Sequence, residues 1–146
     1  MEMNHVEKAI GNFTWMNCHQ SVLSVFGPRF GLSEELCLSL GLSYGGGMGR
    51  QGKTCGAVTA AYTLIGLWAS RQTNDIQEQK KLAAEKVKEF NALFQQKFQD
   101  LECRDLLGCN LSIPEQDKRA REEHLYETIC PNLVGGSTAI LASILS

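Results

Sequence analysis

The chain has 146 residues, 43% of them apolar and 21% charged, with a net charge of -2. That usage is globular and excludes a disordered, collagen-like or polytopic membrane protein, and the charge gives no bias toward nucleic acid or anionic lipid. One domain over residues 1–146 is expected, because a chain of this size buries about 70% of its unfolded surface without help from disulfides or metals.

The N-terminus, MEMNHVEKAI, carries Glu2 and Glu7 and has no apolar core of a secretory signal. A reducing, cytoplasmic setting is therefore expected. There, six cysteines point to metal binding, redox chemistry or packing before structural disulfides.

Val6, Ile10 and Phe13 are spaced as one helical face. Cys18, Val22 and Val25 repeat the spacing, with Asn17 placed as an N-cap and Gly27-Pro28 as the stop. Ser33 caps a short helix that has Glu34 and Glu35 in its first turn and carries Leu36, Cys37 and Leu40. From Gly41 to Gly52 the glycines at 41, 45, 46, 47, 49 and 52 predict a loop. The uncharged run CGAVTAAYTLIGLWAS predicts a buried helix after Thr54. Residues 74–101 form the clearest helix. Ala83, Val87, Phe90, Phe94, Phe98 and Leu101 step by 4, 3, 4, 4 and 3 on one face, and Lys81, Glu85, Lys88 and Glu89 occupy the other.

After Gly108 the chain turns, and Pro114 opens a helix whose run EQDKRAREEH reads as solvent-facing. Cys130-Pro131 then leads into a charge-free tail that runs to Ser146. The tail is broken by Pro131, Asn132, Gly135, Gly136 and Ser137, so no membrane span is expected. Burial in the core or in a homo-oligomer interface is expected for its Ile140, Leu141 and Ile144. The fold class is all-α, a single-domain bundle of about five or six helices around a glycine-rich loop.

The octapeptide GMGRQGKT, from Gly47 to Thr54, matches a phosphate-loop pattern. Such a loop needs a buried strand before it and an acidic strand end later in the chain. Neither is readable, so nucleotide binding is not expected.

The cysteines are better placed. Cys18, Cys55 and Cys130 fall at inferred helix starts, where free amides and the helix dipole favour a thiolate. Cys103 follows the long helix, in ECRDLLGC. Cys37 reads as an inert buried thiol, and Cys109 follows a turn. His19, beside Cys18, could tune that thiol or ligate a metal. There is no C-x-x-C.

An early NC, a glycine-rich loop entering CGA, then CRDLLGC and CP, resembles the C-GCAxxG-C-C family of proteins described as redox-active. The resemblance runs from about Asn17 to Val134. It places the four hallmark cysteines at Cys18, Cys55, Cys103 and Cys130, the glycine loop at Gly45 to Gly52, and CGAxxG at Cys55 to Ala60. The closing glycine is then Ala60. It implies a shared cysteine site; Gly56, Cys109 and His19 are the accompanying cofactor-binding candidates by their places in the sequence. Three functions stay open. One is a thiol redox protein, an oxidoreductase with an unidentified redox partner. The second uses the same four thiolates as ligands of zinc or an iron–sulfur cluster. The third is an interaction module whose cysteines only pack.

Overall fold

The computed structural model describes residues 4–145. Glu2 and Ser146, used in the terminal readings above, lie outside that range. The fold is all-α, and no β-strand occurs among the described residues. Eight helices of five or more residues form among the described residues: α1 (His5–Asn12), α2 (Cys18–Phe26), α3 (Glu34–Gly41), α4 (Gly56–Ser70), α5 (Ile76–Phe98), α6 (Cys103–Leu107), α7 (Pro114–Glu122) and α8 (Cys130–Ile144). The number exceeds the expected five or six. The spacing of residues 101–113 hides the five-residue α6, which no amphipathic period can announce.

The caps follow sequence chemistry. Asn4 and Ser33 accept hydrogen bonds from Glu7 N at 2.8 Å and Leu36 N at 3.1 Å, and so hold the starts of α1 and α3. Asp75 does the same for α5 through Gln77 N, at 3.0 Å. At α2, Asn17 and Gln20 form a reciprocal capping box, with bonds of 2.9 and 3.0 Å.

The core forms where α4, apolar nearly all round, is enclosed by α2, α5 and α8. Phe90 and Phe94 of α5 are fully buried and stack with centroids 5.6 Å apart. α1 covers α8 from the other side. Leu141 and Ile144 of the tail are buried inside this core, and Ile140 packs against it. Among the described residues no helix is long and apolar enough to cross a membrane.

The phosphate-loop look-alike has a different job. A one-turn 3₁₀ segment, not a strand, precedes Gly45. Three of its amides are already used: Arg50 N donates to Gly45 O at 2.8 Å, Gly52 N to Gly46 O at 3.2 Å, and Lys53 N to Gly47 O at 3.0 Å. Gly47 has φ +75°, and a Cβ there would lie 2.6 Å from Cys103 Cβ and 2.7 Å from Lys53 N. The turn is coiled on itself to let Cys103 approach.

Candidate functional site

Four helices start around one small volume. Cys18, Cys103 and Cys130 are the first residues of α2, α6 and α8, and Cys55 is the N-cap of α4. At each start, backbone N–H groups lack helical partners and carry the positive end of the dipole. The sequence placed three of these cysteines at helix starts; Cys103 makes the fourth, on the short α6.

Two local devices bring them together. Residues 52–55 run antiparallel to 101–104. Thr54 bridges Glu102, Cys55 N donates to Leu101 O at 2.9 Å, and Cys103 N donates to Lys53 O at 2.6 Å. This short pairing fixes Cys55 next to Cys103. On the other side Gly56 lets α2 close on α4, since a Cβ there would meet His19 N at 2.9 Å and Cys18 Cβ at 3.0 Å.

The four cysteines line one cavity of about 310 Å³, together with Gly56. Gly45, Gly46 and Gly47 form part of its wall, and leucines of α6 and α8 supply apolar surface. The volume suits a small molecule. Cys18 is half-buried, and Cys55, Cys103 and Cys130 are buried.

The sulfurs are not equivalent. Cys18 lies within hydrogen-bonding reach of both Cys130 and Cys55. Its thiol is pushed well above the ordinary range, first by the bond to Cys130, then by the bond to Cys55, with burial and both neighbouring sulfurs adding. Cys55 moves the other way. The bond from Cys18 holds its thiol below the ordinary range against the opposing effect of burial, and the Ala57 and Val58 amides assist. Burial, followed by the charge of Cys55 and Cys130, pushes Cys103 up to about 12, with Arg50 working against the rise. All six cysteines are free thiols in the structure. Among the described residues, no group of three or more His, Cys, Asp or Glu side chains is disposed to hold a metal ion.

The remaining candidates lie elsewhere. Cys37 is fully buried under α2, with its sulfur 3.9 Å from Leu23 O. Cys109 packs beside Cys103 and Cys130 in a second apolar cluster, but it does not line the cavity. Arg119 donates to its sulfur at 3.1 and 3.3 Å. His19 is buried and turned away from the cavity, stacked on Tyr44 with centroids 4.5 Å apart. Thr59 Oγ1 spends its proton on Gly56 O at 3.1 Å, so it accepts from His19 Nδ1 at 2.9 Å. Burial lowers the His19 pKa to about 4.

Three residues at the cavity mouth escape the sequence reading. Arg50, hidden among glycines, lines the cavity with Tyr126. Asp117, inside the run read as solvent-facing, turns inward. It accepts from Arg50 Nη2 and from the Tyr126 hydroxyl, each at 2.7 Å, and Arg50 Nη2 also reaches the Tyr126 oxygen at 2.9 Å. The bond from Tyr126, then the nearby Arg50 and Arg121, hold the Asp117 carboxyl below its usual range despite some desolvation.

A family model described as "Putative redox-active protein (C_GCAxxG_C_C)" matches residues 16–144. The chain belongs to the C_GCAxxG_C_C family. The family's segment begins just ahead of Cys18 and ends with α8, so it takes in every cavity cysteine and the glycine turn, and leaves out α1. No curated protein and no solved structure matches the chain.

Proposed function

We propose that this C_GCAxxG_C_C protein is a thiol oxidoreductase that exchanges disulfides with a small substrate through Cys55 and Cys18. The observation that carries the reading is the convergence of Cys18, Cys55, Cys103 and Cys130 at four helix starts around one cavity. Cys55 is favoured as a thiolate by a hydrogen bond from Cys18 and by the amides of α4, while Cys18 keeps its proton.

The chemistry balances over two attacks. The Cys55 thiolate attacks a substrate disulfide R–S–S–R, forming Cys55–S–S–R and releasing one thiolate RS⁻. The Cys18 sulfur then attacks Cys55, forming the Cys18–Cys55 disulfide. The second RS leaves with the pair of electrons, and the proton of Cys18 passes to one of the released thiolates. The substrate is reduced by two electrons and the cysteine pair is oxidised by two. Cys130 is the reserve. Attack by its thiolate on Cys18 moves the disulfide to Cys18–Cys130 and returns Cys55 as a thiolate. A dithiol reductant supplies two electrons and one proton to return the site to one thiol and one thiolate, and its second proton goes to solvent.

The test is to treat reduced protein with a neutral probe, hydroxyethyl disulfide, and map linkages by mass spectrometry. The expected product is a Cys18–Cys55 or Cys18–Cys130 linkage. Cys18→Ser should stall at a mixed disulfide on Cys55, and Cys55→Ser should slow consumption of the probe to the level of the unfolded chain. If no internal linkage forms and all four cysteines react as isolated thiols, the proposal is wrong.

A further inference from the structure

Arg50 stands where an arginine is conformationally expensive. Its φ is +61°, in the left-handed region that side chains avoid. Glycine takes that conformation freely, and Gly46, Gly47 and Gly49 of the same turn do so. The strain persists because the side chain is held from the far side. Asp117 and Tyr126, both brought in by the segment around α7, take hydrogen bonds from its Nη2. Met48 of the same turn shares the conformation at φ +64°, so what distinguishes Arg50 is the grip on its side chain.

The grip uses only part of the guanidinium. Nε and Nη1 find no acceptor among the described residues. The side chain lies across Gly46, a wall residue, with Nη1 3.4 Å from where a Cβ on Gly46 would be. The neighbouring charges do not cancel it. The same Asp117 carboxylate also binds Arg121 through Oδ2 at 2.9 Å, so one anion faces two guanidinium groups and a positive charge is left over. With half of the Arg50 side chain exposed at the mouth and the sulfurs inside, a ligand can meet the charge and the thiols together. Most of the remaining lining, including Phe13, Leu106, Leu111 and Leu133, is apolar.

We propose that Arg50 is a substrate-binding residue that selects small disulfides and thiols carrying a carboxylate, the anion bound at the mouth and the short apolar stem directed to the cysteines. The proposal deepens the disulfide-exchange reading and takes the reacting class from it; the preference for an anion comes from Arg50. An Arg side chain suits the task because its fork can hold Asp117 on one edge and offer the other to a second carboxylate.

Two measurements separate this from the exchange chemistry. The first compares exchange rates of dithiodipropionate (dianionic), hydroxyethyl disulfide (neutral) and cystamine (dicationic), each divided by its rate with the urea-unfolded chain. The expected order is anionic, neutral, cationic, with a roughly tenfold advantage of the first over the second at low ionic strength that shrinks in high salt. Arg50→Gln should erase the advantage and Arg50→Lys should keep part of it. The second uses ligands that cannot exchange. Thiodipropionate should raise the melting temperature and thiodiethanol should not, and Arg50→Gln should remove the difference. Because wild type alone shows the preference, a badly folded variant does not block the test. Equal rates for the anionic and neutral disulfides, or equal thermal shifts for the two thioethers, overturn the assignment while leaving disulfide exchange intact. An anion-dependent thermal shift without any exchange supports Arg50 and overturns the exchange reading instead.

Discussion

Cys18 and Cys55 show how one residue sets the chemistry of the next. The bond from Cys18 is the largest influence lowering Cys55, so Cys18→Ala should raise the Cys55 pKa and slow its alkylation by iodoacetamide at neutral pH, while Cys37→Ala should leave that rate unchanged. His19 makes a second residue-scale prediction. Its native pKa of about 4 lies below the ordinary 6.5, so on acidification the unfolded chain takes up the proton first. Stability contributed by the neutral, buried ring is complete above about pH 6.5 and is lost as pH falls toward about 4, reaching roughly 3 kcal/mol in total. Urea denaturation of wild type and His19→Gln across that interval should show the wild-type slope exceeding the variant's. A parallel pair of curves would assign the acid sensitivity to other groups.

Among the elements, the glycine turn and the 52–55/101–104 pairing do the assembling. Gly47→Ala should cost about 2 kcal/mol or more, because a strained φ adds to a clash with Cys103 and Lys53. Gly108→Ala is the control. Its φ is also positive at +68°, but nothing lies within 4 Å, so about 1 kcal/mol is expected. Chemical denaturation of both separates the clash from the conformational strain. The same elements show what sequence could reveal. The 4-3-4-4-3 stepping of α5, the asparagine cap of α2 and the uncharged α4 were readable because each carries its signal within its own residues. The short pairing was not, since a single bridge at Thr54 and Glu102 gives no run of alternating residues. Asp117 was misread for a related reason. A charged run looks solvated until Arg50, far away in sequence, provides the partner that turns one member inward.

For the whole molecule, α8 is as much core as it is wall of the site. Leu141→Ala should destabilise by about 2–5 kcal/mol in urea titration, as expected for a fully buried leucine. Nucleotide recognition should be missing at the same scale, because no strand precedes the glycine turn and the amides of Arg50, Gly52 and Lys53 are spent on its own carbonyls. Mg-ATP should leave the melting temperature unmoved, and a shift abolished by Lys53→Ala would contradict that. The position of Cys130 at the head of α8 has a consequence for synthesis. A growing chain emits Cys18, Cys55 and Cys103 well before the helix that closes their chamber. Until α8 docks against α4, the earlier thiols lack the neighbour that completes the hydrogen-bonded set around Cys18. Translation thus withholds the complete four-cysteine chamber until the last helix docks, while both members of the exchanging pair, Cys18 and Cys55, are already made.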